Sequence, residues 1–191
     1  MTAPHRIAGL VLAAGAGRRF GGPKQLAELD GRPLLEHALA AIAAVPALER
    51  VAVTLGAHDE AIRARVDLHG AQPIVVTDWA EGQAASLRAG VAALAPVADA
   101  VVVTLADQPR LTTSTIAGVV AAWDGRAAAV RAVHDGSPGH PVLLARQLYP
   151  AVARLRGDEG ARRLLVASRT ITVQCGPEVV LDIDERAQIV P

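Results

Sequence analysis

Apolar positions in this chain come in two spacings. Short, nearly continuous runs read as buried strands: Ile7–Ala13, Val51–Leu55, Pro73–Val76 and Val101–Leu105. Between them, apolar residues recur at helical spacing over Pro33–Val45, Glu60–Val66, Gly82–Leu94 and Ser114–Trp123, and the first of these opens on a proline suited to an initial helical turn. The β-branched run Val101–Leu105 suits a central parallel strand covered on both faces. This alternation predicts an α/β fold, doubly wound around a mostly parallel sheet in three layers (α/β/α), with ligands at the carboxyl ends of the strands. Past Trp123 the regularity breaks. Ala127–Val133 and Pro141–Leu144 read as strands around the turn at 134–139, Arg146–Leu155 and Gly160–Ala167 as helices, and Ile171–Val173 and Val179–Leu181 as the last strands.

The link between the first strand and the first helix is rich in glycine. It runs Leu12-Ala-Ala-Gly15-Ala-Gly17-Arg18-Arg19-Phe20-Gly21-Gly22-Pro23-Lys24-Gln25-Leu26. Such a turn brings backbone N–H groups close to phosphate oxygens with little side chain in the way. Lys24 sharpens the reading. Of the 19 lysine and arginine residues it is the only lysine, and a compact point charge on a thin stem suits a crowded phosphate better than a planar guanidinium. Two familiar glycine motifs do not fit. Gly22 is followed by proline, not by the Lys-Ser/Thr of a P-loop, and Phe20 stands where G-x-G-x-x-G needs its third glycine. Nor does an acid close the second strand to hold a ribose; the first one after it is Asp59.

What the stretch does resemble is the L-A-A-G-x-G-x-R-x-G-x-x-K opening of the MobA-like nucleotidyltransferases, and within them the MocA-type molybdenum cofactor cytidylyltransferases. Leu105-Ala-Asp107-Gln-Pro109, Gly139-His140-Pro141, Gly157-Asp158-Glu-Gly160-Ala-Arg162 and Leu181-Asp182-Ile-Asp184 extend the likeness along most of the chain. It implies a Rossmann-like nucleotidyltransferase fold. It also implies transfer of CMP from CTP to a phosphorylated acceptor such as molybdopterin, with Mg²⁺ as cofactor and release of pyrophosphate. Guanylyl transfer to molybdopterin, nucleotidyl transfer to a sugar or polyol phosphate, and a non-catalytic molybdenum-cofactor chaperone are the other readings. A single domain over 1–191 is expected, with 1–123 binding nucleotide and 124–191 walling the acceptor.

The chemistry asks for cations, N–H donors and a metal, not for a general base, because an ionised phosphate is already a nucleophile. Arg19 is expected on the β- and γ-phosphates, where a fork suits leaving pyrophosphate, and Lys24 on the α-phosphate; Arg18 reads as a solvated neighbour. Asp107 lies just past a strand end, where it reads as a metal ligand or as a cap toward Thr112. A second carboxylate comes from Asp182, the first choice, or from Asp184, which otherwise reads as a helix N-cap. The chain departs here from the family's D-I-D-T-P-E-D, continuing Glu-Arg-Ala-Gln after Asp184. The resemblance places base contacts at Gly82 and Ser86, with the backbone of Ala13, Ala14 and Gly15 opposite and Gly17 among the nucleotide-binding residues of the loop. Alanine at position 14, where guanylyltransferases carry glycine, favours CTP. His140 and Arg162 fall on the acceptor side, although His140 also reads as a structural histidine and Asp158 as a cap for the helix after it.

Composition adds bounds. Formal net charge is zero, so no broad electrostatic footprint for nucleic acid or an anionic membrane exists, and partners are small molecules plus, by resemblance, a molybdoenzyme or its chaperone. Only 2% of residues are aromatic, leaving alanine, valine and leucine to fill the core. One cysteine, no secretory pattern in residues 1–6 and no apolar run of about 18 residues predict a cytoplasmic protein. The histidines at 5, 37, 58, 69 and 134 show no ligand spacing and read as surface or loop.

Overall fold

The computed structural model describes residues 5–189. In chain order its elements begin with strand β1 (Ile7–Leu12), the glycine loop, and a two-stranded ribbon, β2 (Glu28–Leu29) with β3 (Arg32–Pro33). Then come helix α1 (Leu34–Ala43), β4 (Leu48–Leu55), α2 (Asp59–Arg65), β5 (Gln72–Val75), α3 (Gln83–Leu94), β6 (Ala100–Leu105) and α4 (Thr113–Ala121). The remainder holds β7 (Ala129–His134), β8 (Ser137–Ala145), α5 (Tyr149–Val152), α6 (Arg162–Val166) and β9 (Thr170–Gln174).

One seven-stranded sheet carries everything, in the order β5-β4-β1-β6-β8-β7-β9. Only β8 runs against its neighbours, β6 and β7; all other pairings are parallel. The doubly wound, mostly parallel, three-layer expectation therefore holds. Each strand feeds both faces. In β1, Ile7 and Val11 pack with Leu35, Leu39 and Ile42 of α1 and with α4, while Leu10 and Leu12 pack with Leu87 and Val91 of α3. With so few aromatic residues, close helix approach compensates: a Cβ at Gly9 would lie 2.8 Å from Ile42 Cδ1, and one at Gly90 only 2.5 Å from Leu10 Cδ1.

Two expected elements differ. Val179–Leu181 is not a strand; Pro177–Val180 forms a 3₁₀ turn instead. Pro177 lacks an N–H and starts a turn readily, and Val179 is fully buried with its carbonyl closing on Gly139. The helix expected over Arg146–Leu155 shortens to a 3₁₀ turn at Arg146–Leu148 followed by α5, because Pro150 can donate no backbone bond to Arg146. Among the described residues no helix is long and apolar enough to cross a membrane.

Candidate nucleotide-transfer site

The site opens where β1 ends. Gly17 has φ 65°, and a Cβ there would collide with the Gly22 carbonyl that closes the loop. Every carbonyl from Ala13 to Ala16 is engaged. Buried Gln25 donates its Nε2 to Ala13 O (2.6 Å) and Gly15 O (2.7 Å), Ala57 N donates to Ala14 O (3.2 Å), and His58 Nε2 lies 3.2 Å from Ala16 O. By contrast, the N–H groups of Gly15 to Arg19 have no protein acceptor among the described residues. Fixed carbonyls and free donors make a concave anion receptor.

Lys24 lies across this loop from two acids. Its side chain is only 13% exposed, with Nζ 2.8 Å from Asp107 Oδ2 and 3.2 Å from Asp184 Oδ1. Arg19, at 84% exposure, reaches Asp184 Oδ2 at 3.8 Å. Arg18 lines the same cleft and is exposed. Asp107 follows β6 directly and does not cap α4; Thr112 does, accepting from Thr115 N at 3.2 Å. Nor is Asp184 an N-cap, since Glu185 and Gln188 form a capping box around the next short turn.

The order of preference between the two C-terminal acids reverses. Asp184 lines the cleft, whereas Asp182 accepts from buried Gln108 Nε2 at 2.8 Å and does not face it. Burial, and then the neighbouring Asp107 charge, push the Asp182 carboxyl above its ordinary range. Its role is to seat the segment, as does Ile183 N donating to Asp107 O at 2.9 Å. Arg186 stacks over Phe20, 5.0 Å from the ring centroid, so the C-terminal segment is pinned to the glycine loop as well.

Among the described residues no set of three or more His, Cys, Asp or Glu groups gathers as metal ligands. Mg²⁺ does not need one, since it takes one or two carboxylates plus phosphate oxygens and water. Asp107 fits that demand. Its Oδ1 is buried without any hydrogen-bond partner, an open coordination position on a charged group. Asp184, sharing the same ammonium, is its natural companion.

The cleft has a volume of about 500 Å³ and continues from the glycine loop past Gly82 and the buried Ser86 at the start of α3. Gly82 has φ 123°, and a Cβ there would lie 2.5 Å from Gly157 O. The contact is a junction: Ala84 N donates to Gly157 O (3.0 Å), and Gly157 N donates to Glu81 Oε1 (3.3 Å). Arg88 grips Glu81 (2.7 Å) and Asp78 (2.8 Å), and this hydrogen bond draws the Glu81 carboxyl down to about 2.

Beyond the 157–160 loop lies a second cavity of about 260 Å³, sharing Leu12, Gln83 and Asp158 with the first. His140 and Arg162 both line it, together with Arg131 of β7. Burial, then the Arg131 charge, lower the His140 pKa to about 4, so the ring is neutral at physiological pH. Asp158 does not cap α6, which begins after Ala161 with no side-chain cap. It stands instead between the two cavities.

Several residues have places that residue type alone does not announce. Gln25 and His58 brace the glycine loop, and neither residue type announces a carbonyl brace. His37 and His134 also have definite places, on α1 beside Leu29 O (2.8 Å) and at the end of β7 beside Cys175 O (2.9 Å). Arg131 did carry a signal: it is the one charge inside the otherwise apolar run Ala127–Val133.

Known proteins share this plan. Residues 9–171 match the MobA-like NTP transferase domain. Nicotine blue oxidoreductase of Paenarthrobacter nicotinovorans is 38% identical over 167 residues, 83% of this chain and 81% of that protein. Purine catabolism protein PucB of Bacillus subtilis is 31% identical over 201 residues, 99% and 92% of the two chains. The crystal structure of Rv0371c from Mycobacterium tuberculosis H37Rv superposes with a TM-score of 0.86 at 32% identity, covering 97% of this chain and 95% of that one. A manganese complex of Rv0371c superposes at 0.76 with 27% identity, covering 89% and 88%. The glycine-loop receptor, its lone lysine and the family match over most of the length agree: the chain belongs to the MobA-like NTP transferase domain family and is a nucleotidyltransferase acting on nucleoside triphosphates.

Proposed function

We propose that this protein transfers CMP from CTP to a phosphorylated small acceptor, molybdopterin being the foremost candidate, as a MocA-type molybdenum cofactor cytidylyltransferase. An acceptor phosphate oxygen attacks the α-phosphorus; the bond from that phosphorus to the bridging oxygen of the β-phosphate breaks, and pyrophosphate leaves. The observation that carries the reading is Lys24 set between Asp107 and Asp184 beside a loop of free N–H donors.

In this mechanism the N–H groups of Gly15 to Arg19 receive the triphosphate, and Arg19 moves from its weak contact with Asp184 onto the departing pyrophosphate. Lys24 neutralises charge building on the α-phosphate. Asp107 and Asp184 would hold Mg²⁺, which supplies charge neutralisation and orientation of the triphosphate when bound. Ser86, Gly82 and the backbone of Ala13 and Ala14 select the base, the alanine at 14 favouring the smaller cytosine. Residues 1–123 serve the nucleotide and 124–191 wall the acceptor, with His140 and Arg162 on that side. A lone cysteine is consistent with a cytoplasmic protein whose product passes to a molybdoenzyme or its chaperone.

An amine-directed reagent tests the donor, because Lys24 and the amino terminus are the only amines. With Mg²⁺ present, CTP protects Lys24 more strongly than GTP, ATP or UTP, and pyrophosphate appears only when a phosphorylated acceptor is added. Equal labelling under all four nucleotides sinks the reading; protection by CTP without turnover on any acceptor would favour a binding chaperone.

A further inference from the structure

Arg131 is an arginine without a counter-ion. It lies in β7, paired in register with Val142 of β8 and Thr172 of β9, in the interior of the sheet. Its side chain is half-buried, and burial followed by the nearby Arg162 charge lowers its pKa. Its Nε is buried with no hydrogen-bond partner. Among the described residues no acid lies within ion-pair distance of Arg131 or of Arg162, and the two share one cavity wall.

A half-buried guanidinium with no counter-ion and a buried, unpartnered Nε is costly in a folded chain, and an unpaired charge on a cavity wall points to a ligand. Arg131 faces the 260 Å³ cavity, Arg162 stands on the same wall, and His140 adds a polar ring. The one acid at the cavity, Asp158, is exposed and belongs equally to the nucleotide cleft. Two guanidiniums and one solvated carboxylate leave a net positive pocket with room for a tetrahedral oxyanion. A guanidinium fork matches such an anion with two parallel N–H donors.

We infer that Arg131, with Arg162, forms an oxyanion receptor that binds the phosphate monoester of the acceptor and makes Arg131 a specificity-determining residue. The inference rests on the transferase reading above for the identity of the anion's carrier, and on the cavity alone for the anion itself. It explains why the acceptor side lacks an aromatic platform: recognition begins from charge. His140, neutral there, offers one further hydrogen bond without adding charge to a site already cationic.

The test uses phenylphosphonate, a monoester mimic, titrated calorimetrically into the full chain with Mg²⁺ and CTP present so that the glycine-loop cleft is filled. Binding is expected in the unchanged protein, weakened at least roughly tenfold (about 1.4 kcal/mol) in Arg131→Met. In Arg162→Ala, at an exposed position with little risk to folding, the loss is smaller. Arg131→Lys keeps the charge, loses the fork and recovers only part of the affinity. Circular dichroism and nucleotide protection of Lys24 show that each variant is folded. Unchanged phenylphosphonate binding in both folded variants, or none in the unchanged protein while CTP still protects Lys24, overturns the receptor and leaves the transferase reading intact. Arg131-dependent binding with no nucleotide protecting Lys24 does the reverse.

Discussion

Lys24 joins acids that are 83 and 160 positions away in sequence, so its loss acts on more than one partner at once. Lys24→Ala is expected to lower turnover on the order of 10²–10³-fold, the effect of removing one transition-state donor, measured as pyrophosphate release at saturating nucleotide. Lys24→Arg does not restore it, because a planar fork cannot occupy a space shaped for a point charge. Gln25→Ala should act differently, freeing two loop carbonyls and raising KM for the nucleotide with less effect on kcat. The lysine was legible in the sequence because every other basic residue there is arginine. Gln25 was not: a brace is defined by what it reaches in space, and two carbonyls on a loop leave no trace in residue type. Asp182 and Asp184 show the same limit. Alternate spacing suggested that both acids point one way, yet Gln108, buried and needing an acceptor, took the first and left the second for the cleft.

At the scale of elements, the boundary between the two cavities is a packed junction of Gly82 with the 157–160 loop. Gly82→Ala places a methyl against Gly157 O in a backbone conformation that side chains avoid. A loss of about 1–3 kcal/mol is expected in urea unfolding, with faster hydrogen exchange at the Gly157 and Ala84 amides before global unfolding. Unchanged exchange at both amides would show that the junction adapts. The main helices and strands of the first half were readable from periodicity because strand and helix alternate regularly there and the pattern is local. The last third was not. There β8 reverses direction between parallel strands, Pro150 cuts a helix short, and Val179 is apolar because it plugs the gap at Gly139, not because it extends a strand.

Across the whole molecule, several groups weaken the fold as pH falls, among them His140, Glu81, Asp99 and Asp124. His140 binds its proton less readily folded, at about 4, than the 6.5 of an ordinary histidine. Between those values the unfolded chain holds more protons, so stability falls as pH falls through that window, on the order of 1–3 kcal/mol for this group. Glu81, held down to about 2 by Arg88, adds a loss in the same direction below its ordinary 4.5, and its exposure makes that loss slight. Thermal unfolding followed from pH 7 to 4 should show a falling midpoint, flattened in His140→Gln; an equal slope in both proteins would move the effect elsewhere. The overall architecture was readable from the alternation of spacings, whereas the second cavity was not, since its walls come from β7, β8 and the loop before α6 and meet only after folding.

The ammonium between Asp107 and Asp184 has a consequence for the order of events. The chain already holds its own cation between these carboxylates, so at the metal site proposed above a bare divalent ion that reaches for Asp107 Oδ2 and Asp184 Oδ1 competes with it. Entry together with a triphosphate gives the displaced lysine somewhere to go. In the absence of nucleotide, Lys24→Ala should therefore bind free Mn²⁺ more tightly than the unaltered chain, by roughly tenfold in electron paramagnetic resonance titrations. Equal or weaker binding would mean that the two cations do not compete.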